Sequence, residues 1–100
     1  MIISLGYITV PVDHDATVSR MLTGLAAQTR TEPGCVAYFV SRDLETPGRF
    51  LITENWASLE QMQTHLGLPH IGPAVEALQE MGVTELSITA YEAGDPMTMM

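Results

Sequence analysis

The sequence predicts an α+β domain in which four strands and two helical regions alternate as β-α-β-β-α-β, giving an antiparallel sheet with its helices on one face. Three observations carry this. Runs rich in β-branched and aromatic residues, bounded by Pro and Gly, occur four times along the chain. Two intervening stretches repeat apolar residues at helical spacing. The second and third strand runs are separated by a turn alone, so they form a hairpin.

The elements follow in order. Ile2 to Val10 reads as a strand that ends at Pro11. Asp13 or Asp15 is placed to cap the next helix by accepting from its free N–H groups. Val18, Met21, Leu22, Leu25 and Ala26 then form one apolar helical face, and Pro33-Gly34 stops the helix. Cys35 to Arg42 is the second strand, Thr46-Pro47-Gly48 a turn, and Phe50 to Trp56 the third strand. Ser58 and Gln61 have the spacing of a capping box. The helix they open is interrupted near Gly67-Leu68-Pro69. It resumes with Ile71, Ala74, Val75 and Leu78 on one face and ends at Gly82. Val83 to Tyr91 is the last strand. Residues 1–93 form one domain, and 94–100 are a tail ending in Met-Thr-Met-Met.

Composition bounds the function. One hundred residues, 46% of them hydrophobic, make one domain with a core. The net charge is −8, and the four basic residues are all arginines. Nucleic acid and anionic membrane surfaces are therefore disfavoured partners, because phosphate binding needs a basic face. The absence of lysine excludes Schiff-base chemistry and a Walker A site. No apolar run approaches the roughly 20 residues of a membrane span. A single cysteine, Cys35, fits a reducing compartment, and the N-terminus carries no basic signal region, so the expected location is the cytoplasm.

Helices on one face leave the other face of the sheet bare. In the third strand Phe50 and Ile52 point one way and Leu51 the other, so both faces are apolar. Apolar layers need a cover. The expected partner is a second copy, sheet against sheet.

Glu32-Pro33-Gly34-Cys35, Tyr38, Phe50, Glu54 with Trp56, His65, Pro69-His70 and Tyr91 together resemble the antibiotic biosynthesis monooxygenase (ABM) domain family. That family lies within the dimeric α+β barrel superfamily, ferredoxin-like in fold, and the chain is most similar to its small quinol-monooxygenase-like members. The resemblance runs from Ile2 to Glu92. It implies a homodimer with a pocket in each subunit between sheet and helices. It also implies oxidation of a small aromatic or quinol-like molecule by molecular oxygen, with no cofactor and no metal. An electron-rich phenolate can give one electron to oxygen directly, and the radicals then recombine. The protein must take the substrate proton, hold the substrate and exclude water. Haem-degrading relatives carry an asparagine on the first strand and a histidine on the second-half helix. Neither stands here, so haem degradation is not implied. The superfamily also hosts isomerases and proteins without known activity, so a proton-transfer enzyme and a non-catalytic ligand-binding dimer remain alternatives. A cavity of roughly 300 Å³ or more favours catalysis, and a closed one favours the binding module.

The candidate catalytic residues are His65, Glu54 and Trp56. Trp56 is either a core anchor or a pocket wall with its indole N–H free to donate. Glu54, two residues earlier, shares its face. A carboxylate in an apolar row can act as a base, or it pairs with an arginine such as Arg42. His65 lies on the helix side and is a natural proton acceptor. Tyr38, His70 and Tyr91 are candidate substrate contacts, with His70 alternatively capping the next helical segment. Cys35 reads as a small core residue. His65 and His70 stand five apart, which is not the i, i+4 spacing of a common zinc pair.

Overall fold

A computed structural model describes all 100 residues. β1 spans Ile2–Thr9, α1 Asp15–Thr29, β2 Cys35–Arg42, β3 Arg49–Trp56, α2 Leu59–Leu66, α3 Ile71–Glu80 and β4 Glu85–Glu92. The sheet order is β2-β3-β1-β4, antiparallel throughout. β3 therefore separates β1 from β2, and β1 separates β3 from β4, which is the ferredoxin-like arrangement expected.

Alternation along the strands sets what each face presents. In β1, Ile2, Ser4 and Ile8 are buried, and in β3 Phe50, Ile52, Glu54 and Trp56 are buried. These side chains meet Val18, Leu22 and Ala26 of α1, Met62 of α2 and Leu78 of α3. The opposite face carries Leu5, Tyr7, Phe39, Leu51 and Tyr91, all exposed in the single chain. A groove of about 350 Å³ runs across it beside Leu5, Tyr7, Leu51 and Tyr91.

Beyond boundary shifts of about two residues, such as β4 starting at Glu85 where the sequence reading starts it at Val83, two local details differ from the sequence expectation. Neither Asp13 nor Asp15 caps α1. A short 3-10 turn, Val12–His14, leads into the helix, His14 holds the cap position, and no side chain makes a capping bond. Asp15 is drawn away by Arg42, whose Nη2 lies 2.7 Å from Oδ1. The second difference is a bulge in β2, where Cys35 pairs with Trp56 but Ala37 pairs with Asn55. Strict alternation would put Cys35 and Tyr38 on opposite faces. The extra residue lets both face the helices.

The ends of α2 and α3 follow their sequence signals. Ser58 Oγ accepts from the Gln61 N–H at 3.2 Å, while Gln61 Oε1 accepts from the Ser58 hydroxyl at 3.1 Å. Pro69 disfavours helical backbone at Leu68, so α2 and α3 separate at this point. Gly34 has φ +84°, and a Cβ there would collide with the Gln61 side chain. That glycine turns the chain into β2 directly beneath the start of α2.

Candidate active site

The polar residues of the helix-facing side gather at one end of the sheet. Glu54 is 2% exposed and sits opposite Ser4 on β1 and Tyr38 on β2. The Ser4 hydroxyl donates to Glu54 Oε2 at 3.2 Å, and the Trp56 indole N–H donates to Oε1 at 3.0 Å. Both carboxylate oxygens are thus occupied inside the protein, as a buried acceptor requires. The expected Arg42 partner is absent from this cluster. Arg42 pairs with Phe50, at the far end of the strand from Glu54, and binds Asp15 instead. Trp56 is fully buried and its N–H is spent on Glu54, so it is a core anchor and not a free donor.

His65 comes to the same place from α2. Its ring lies 4.9 Å from the Trp56 ring at an interplanar angle of 33°, and 6.0 Å edge-on from Tyr38. Nδ1 is 2.7 Å from Glu32 Oε1. A carboxylate oxygen only accepts, so the neutral imidazole carries its proton on Nδ1 and keeps its lone pair on Nε2. Both groups are shielded, with side-chain exposures of 3% for His65 and 12% for Glu32. His65 is thus held by a carboxylate, an arrangement that recurs in proton-transfer sites.

A chamber of about 60 Å³ opens where these residues meet. Tyr38, Glu54 and His65 supply its polar wall, and Leu66, Ile71, Ala74, Val75 and Ile88 are among its apolar ones. Burial pushes the Tyr38 phenol well above its usual range, with the Glu54, Cys35 and Glu32 charges adding to the effect. At neutral pH Tyr38 is a hydrogen-bond donor and not a base. Burial likewise raises the Cys35 thiol, helped by Glu32 and Glu54 against Arg30, so Cys35 is a packed thiol. On the other side of His65 an outer cleft of about 260 Å³ is bordered by Glu32, Pro33, Gln61 and Thr64.

Of the six side chains singled out in the sequence, the structure brings Tyr38, Glu54, Trp56 and His65 together. His70 lies at their edge, with Nε2 3.8 Å from Glu32 Oε2 and its ring centroid 6.5 Å from that of His65. It occupies the cap position of α3 without making a capping bond. Tyr91 does not join them. Its register opposite Ile3 puts it on the open face of the sheet, 56% exposed. Two residues that touch this cluster were not distinguished in the sequence. Glu32 stands out in the sequence only as part of the Glu32-Pro33-Gly34-Cys35 motif, and Ser4 is one polar residue in a mostly apolar strand. Only β1–β3 register reveals that Ser4 faces Glu54.

The chain matches the family model for antibiotic biosynthesis monooxygenase over residues 1–77. This chain belongs to that family. Among solved structures, a candidate antibiotic biosynthesis monooxygenase from Deinococcus radiodurans superposes with a TM-score of 0.96 at 47% identity, over 100% of this chain and 99% of that one. A Caulobacter crescentus protein of the same description superposes at 0.85 with 23% identity, covering 94% of this chain and 90% of the other. A Mycobacterium tuberculosis protein gives 0.85 at 19% identity, covering 97% and 98%. The latter two support the fold alone. No curated protein matches the chain. No helix of the chain is long and apolar enough to cross a membrane.

Proposed function

We propose that this chain is a cofactor-independent monooxygenase acting on a small phenolic or quinol-like molecule. The observation that carries the reading is the shielded His65–Glu32 pair at 2.7 Å, beside an apolar chamber that contains the Tyr38 phenol. His65 Nε2 takes the proton of an aromatic hydroxyl, and the resulting anion gives one electron to oxygen. Superoxide and the substrate radical recombine to form a C–O bond. The O–O bond then breaks, leaving one oxygen on the substrate as a carbonyl, while the other departs as water with two substrate hydrogens. Tyr38 donates to the reduced oxygen, and the apolar walls exclude bulk water. Glu54, with both oxygens engaged, holds Trp56 beneath His65.

The chamber is smaller than one aromatic ring, so substrate entry requires the α3 wall to move outward. That wall is lightly held, since Leu78 is the one buried residue of α3. The small volume favours a second reading, a non-catalytic module that binds a small ligand. Oxygen uptake in metal-free buffer with a panel of hydroquinones decides between them. Uptake that is lost in His65→Ala supports the monooxygenase. No uptake across the panel refutes it, and turnover that proceeds equally without air indicates an isomerase. The functional unit on this reading is a cytoplasmic homodimer joined through the apolar open face of the sheet.

A further inference from the structure

Glu32 has two oxygens, and the chemistry proposed above uses one. Oε1 receives the His65 Nδ1 proton, while Oε2 is buried without a hydrogen-bond partner. The other unpartnered buried atom beside it is His70 Nε2, 3.8 Å away. Two buried polar atoms facing each other without partners are uncommon, because each has lost its water. The tautomer of His70 follows from its second nitrogen. The Gln28 amide nitrogen lies 3.4 Å from His70 Nδ1, and an amide N–H donates. Nδ1 then accepts, which leaves the proton of the neutral ring on Nε2, 3.8 Å from Glu32 Oε2. A shift of less than ~1 Å in either side chain closes this gap to a hydrogen bond. Three of the four arginines are engaged elsewhere. Arg30 donates to the Tyr38 carbonyl, Arg42 binds Asp15 and Arg49 binds Glu85.

We propose that His70 is a positioning residue: its Nε2–H holds the second oxygen of Glu32 and so keeps the first aimed at His65. The row Gln28–His70–Glu32–His65 then runs from the surface of α1 to the chamber and fixes the Nε2 lone pair of His65 toward it. Without His70 the carboxylate rotates to find water through the outer cleft, and His65 loses its enforced tautomer. This inference rests on the reading of His65 as the base, but its test does not.

The test is nitrogen-15 NMR of the histidine rings in the full chain. Wild type should show His65 mainly as the Nδ1–H tautomer, with a slowly exchanging Hδ1 proton. His70→Leu should convert this to a mixture in which Hδ1 exchanges at least about tenfold faster, as for an unheld surface imidazole. His70→Gln, which keeps an N–H donor, should restore the wild-type signature. His70 is 24% exposed, so neither change empties the core. With a quinol substrate, His70→Leu should lower kcat about 10-fold and leave KM within twofold, as loss of an orienting partner does. A His65 signature that is lost in Glu32→Gln but unaltered in His70→Leu overturns the proposal and leaves His65 as base intact. Full oxygen consumption by His65→Ala overturns the base instead, and the tautomer result still decides the role of His70.

Discussion

Replacing Glu54 separates a structural carboxylate from a catalytic one. In Glu54→Ala, the Ser4 hydroxyl and the Trp56 N–H lose an acceptor within a fully buried cluster. Each orphaned donor costs about 1–3 kcal/mol. The void left by the missing side chain, on the order of 50 Å³, adds about 1 kcal/mol. Relief of the buried carboxylate's desolvation offsets part of this. The net expectation is a loss of about 3–5 kcal/mol, a large share of the roughly 5–15 kcal/mol available to a domain. Glu54→Gln keeps the shape: its carbonyl accepts from Trp56, and its amide can donate to the Ser4 oxygen. It should cost no more than about 1–2 kcal/mol. Urea unfolding followed by Trp56 fluorescence measures both. Trp56 is the only tryptophan and is wholly buried against His65, so its emission reports global unfolding. Protein concentration must be held constant, since association contributes to apparent stability. A Glu54→Ala protein within about 1 kcal/mol of wild type would refute the reasoning. So would a Glu54→Gln variant as damaged as Glu54→Ala.

Three other outcomes are expected. His65→Ala should lower kcat for quinol oxidation about 10²–10⁴-fold, the contribution of a positioned base, and Glu32→Gln should lower it less, both read with an oxygen electrode. Sedimentation of the wild type should give twice the 10.9 kDa chain mass, and Leu5→Arg with Leu51→Arg, which put charge on the apolar open face, should give the chain mass alone. Stability should fall as pH rises past about 9. Cys35 and Tyr38 have folded-state pKa values raised above their ordinary 9.0 and 10.0, so their contribution is complete below those values and is lost above them as the unfolded chain ionises first. Urea midpoints measured from pH 8 to 11 check this, and Tyr38→Phe should flatten the decline; an unchanged slope would count against it.

Much of the architecture was written in local patterns. Each strand and each helical face coincided with a run whose period or boundary residues named it: Cys35–Arg42 between Pro33-Gly34 and the Thr46-Pro47-Gly48 turn, and α2 opened by Ser58 and Gln61. These are interactions between near neighbours, so short windows contain them. Helix starts were less legible. Asp15 has the right chemistry for a cap, yet Arg42, 27 positions away, takes it. Parity alone foretold that Glu54 and Trp56 share a face. It did not foretell that they bind each other, because the two-residue hydrogen bond depends on the neighbours that bury both.

By itself, the sequence determined the β-α-β-β-α-β order, the amphipathic helices and the presence of one apolar sheet face without a helix to cover it. Those follow from periodicity and turn chemistry, which act over a few residues. Tertiary structure decided which polar residues meet. The bulge at Val36 turned Cys35 and Tyr38 to the same side, β1–β3 register set Ser4 against Glu54, and the fold brought Glu32, His65 and His70 together. The same register sent Tyr91 to the opposite face. A one-residue change of pairing reverses every side chain in a strand, so these contacts belong to the assembled sheet and to no segment alone.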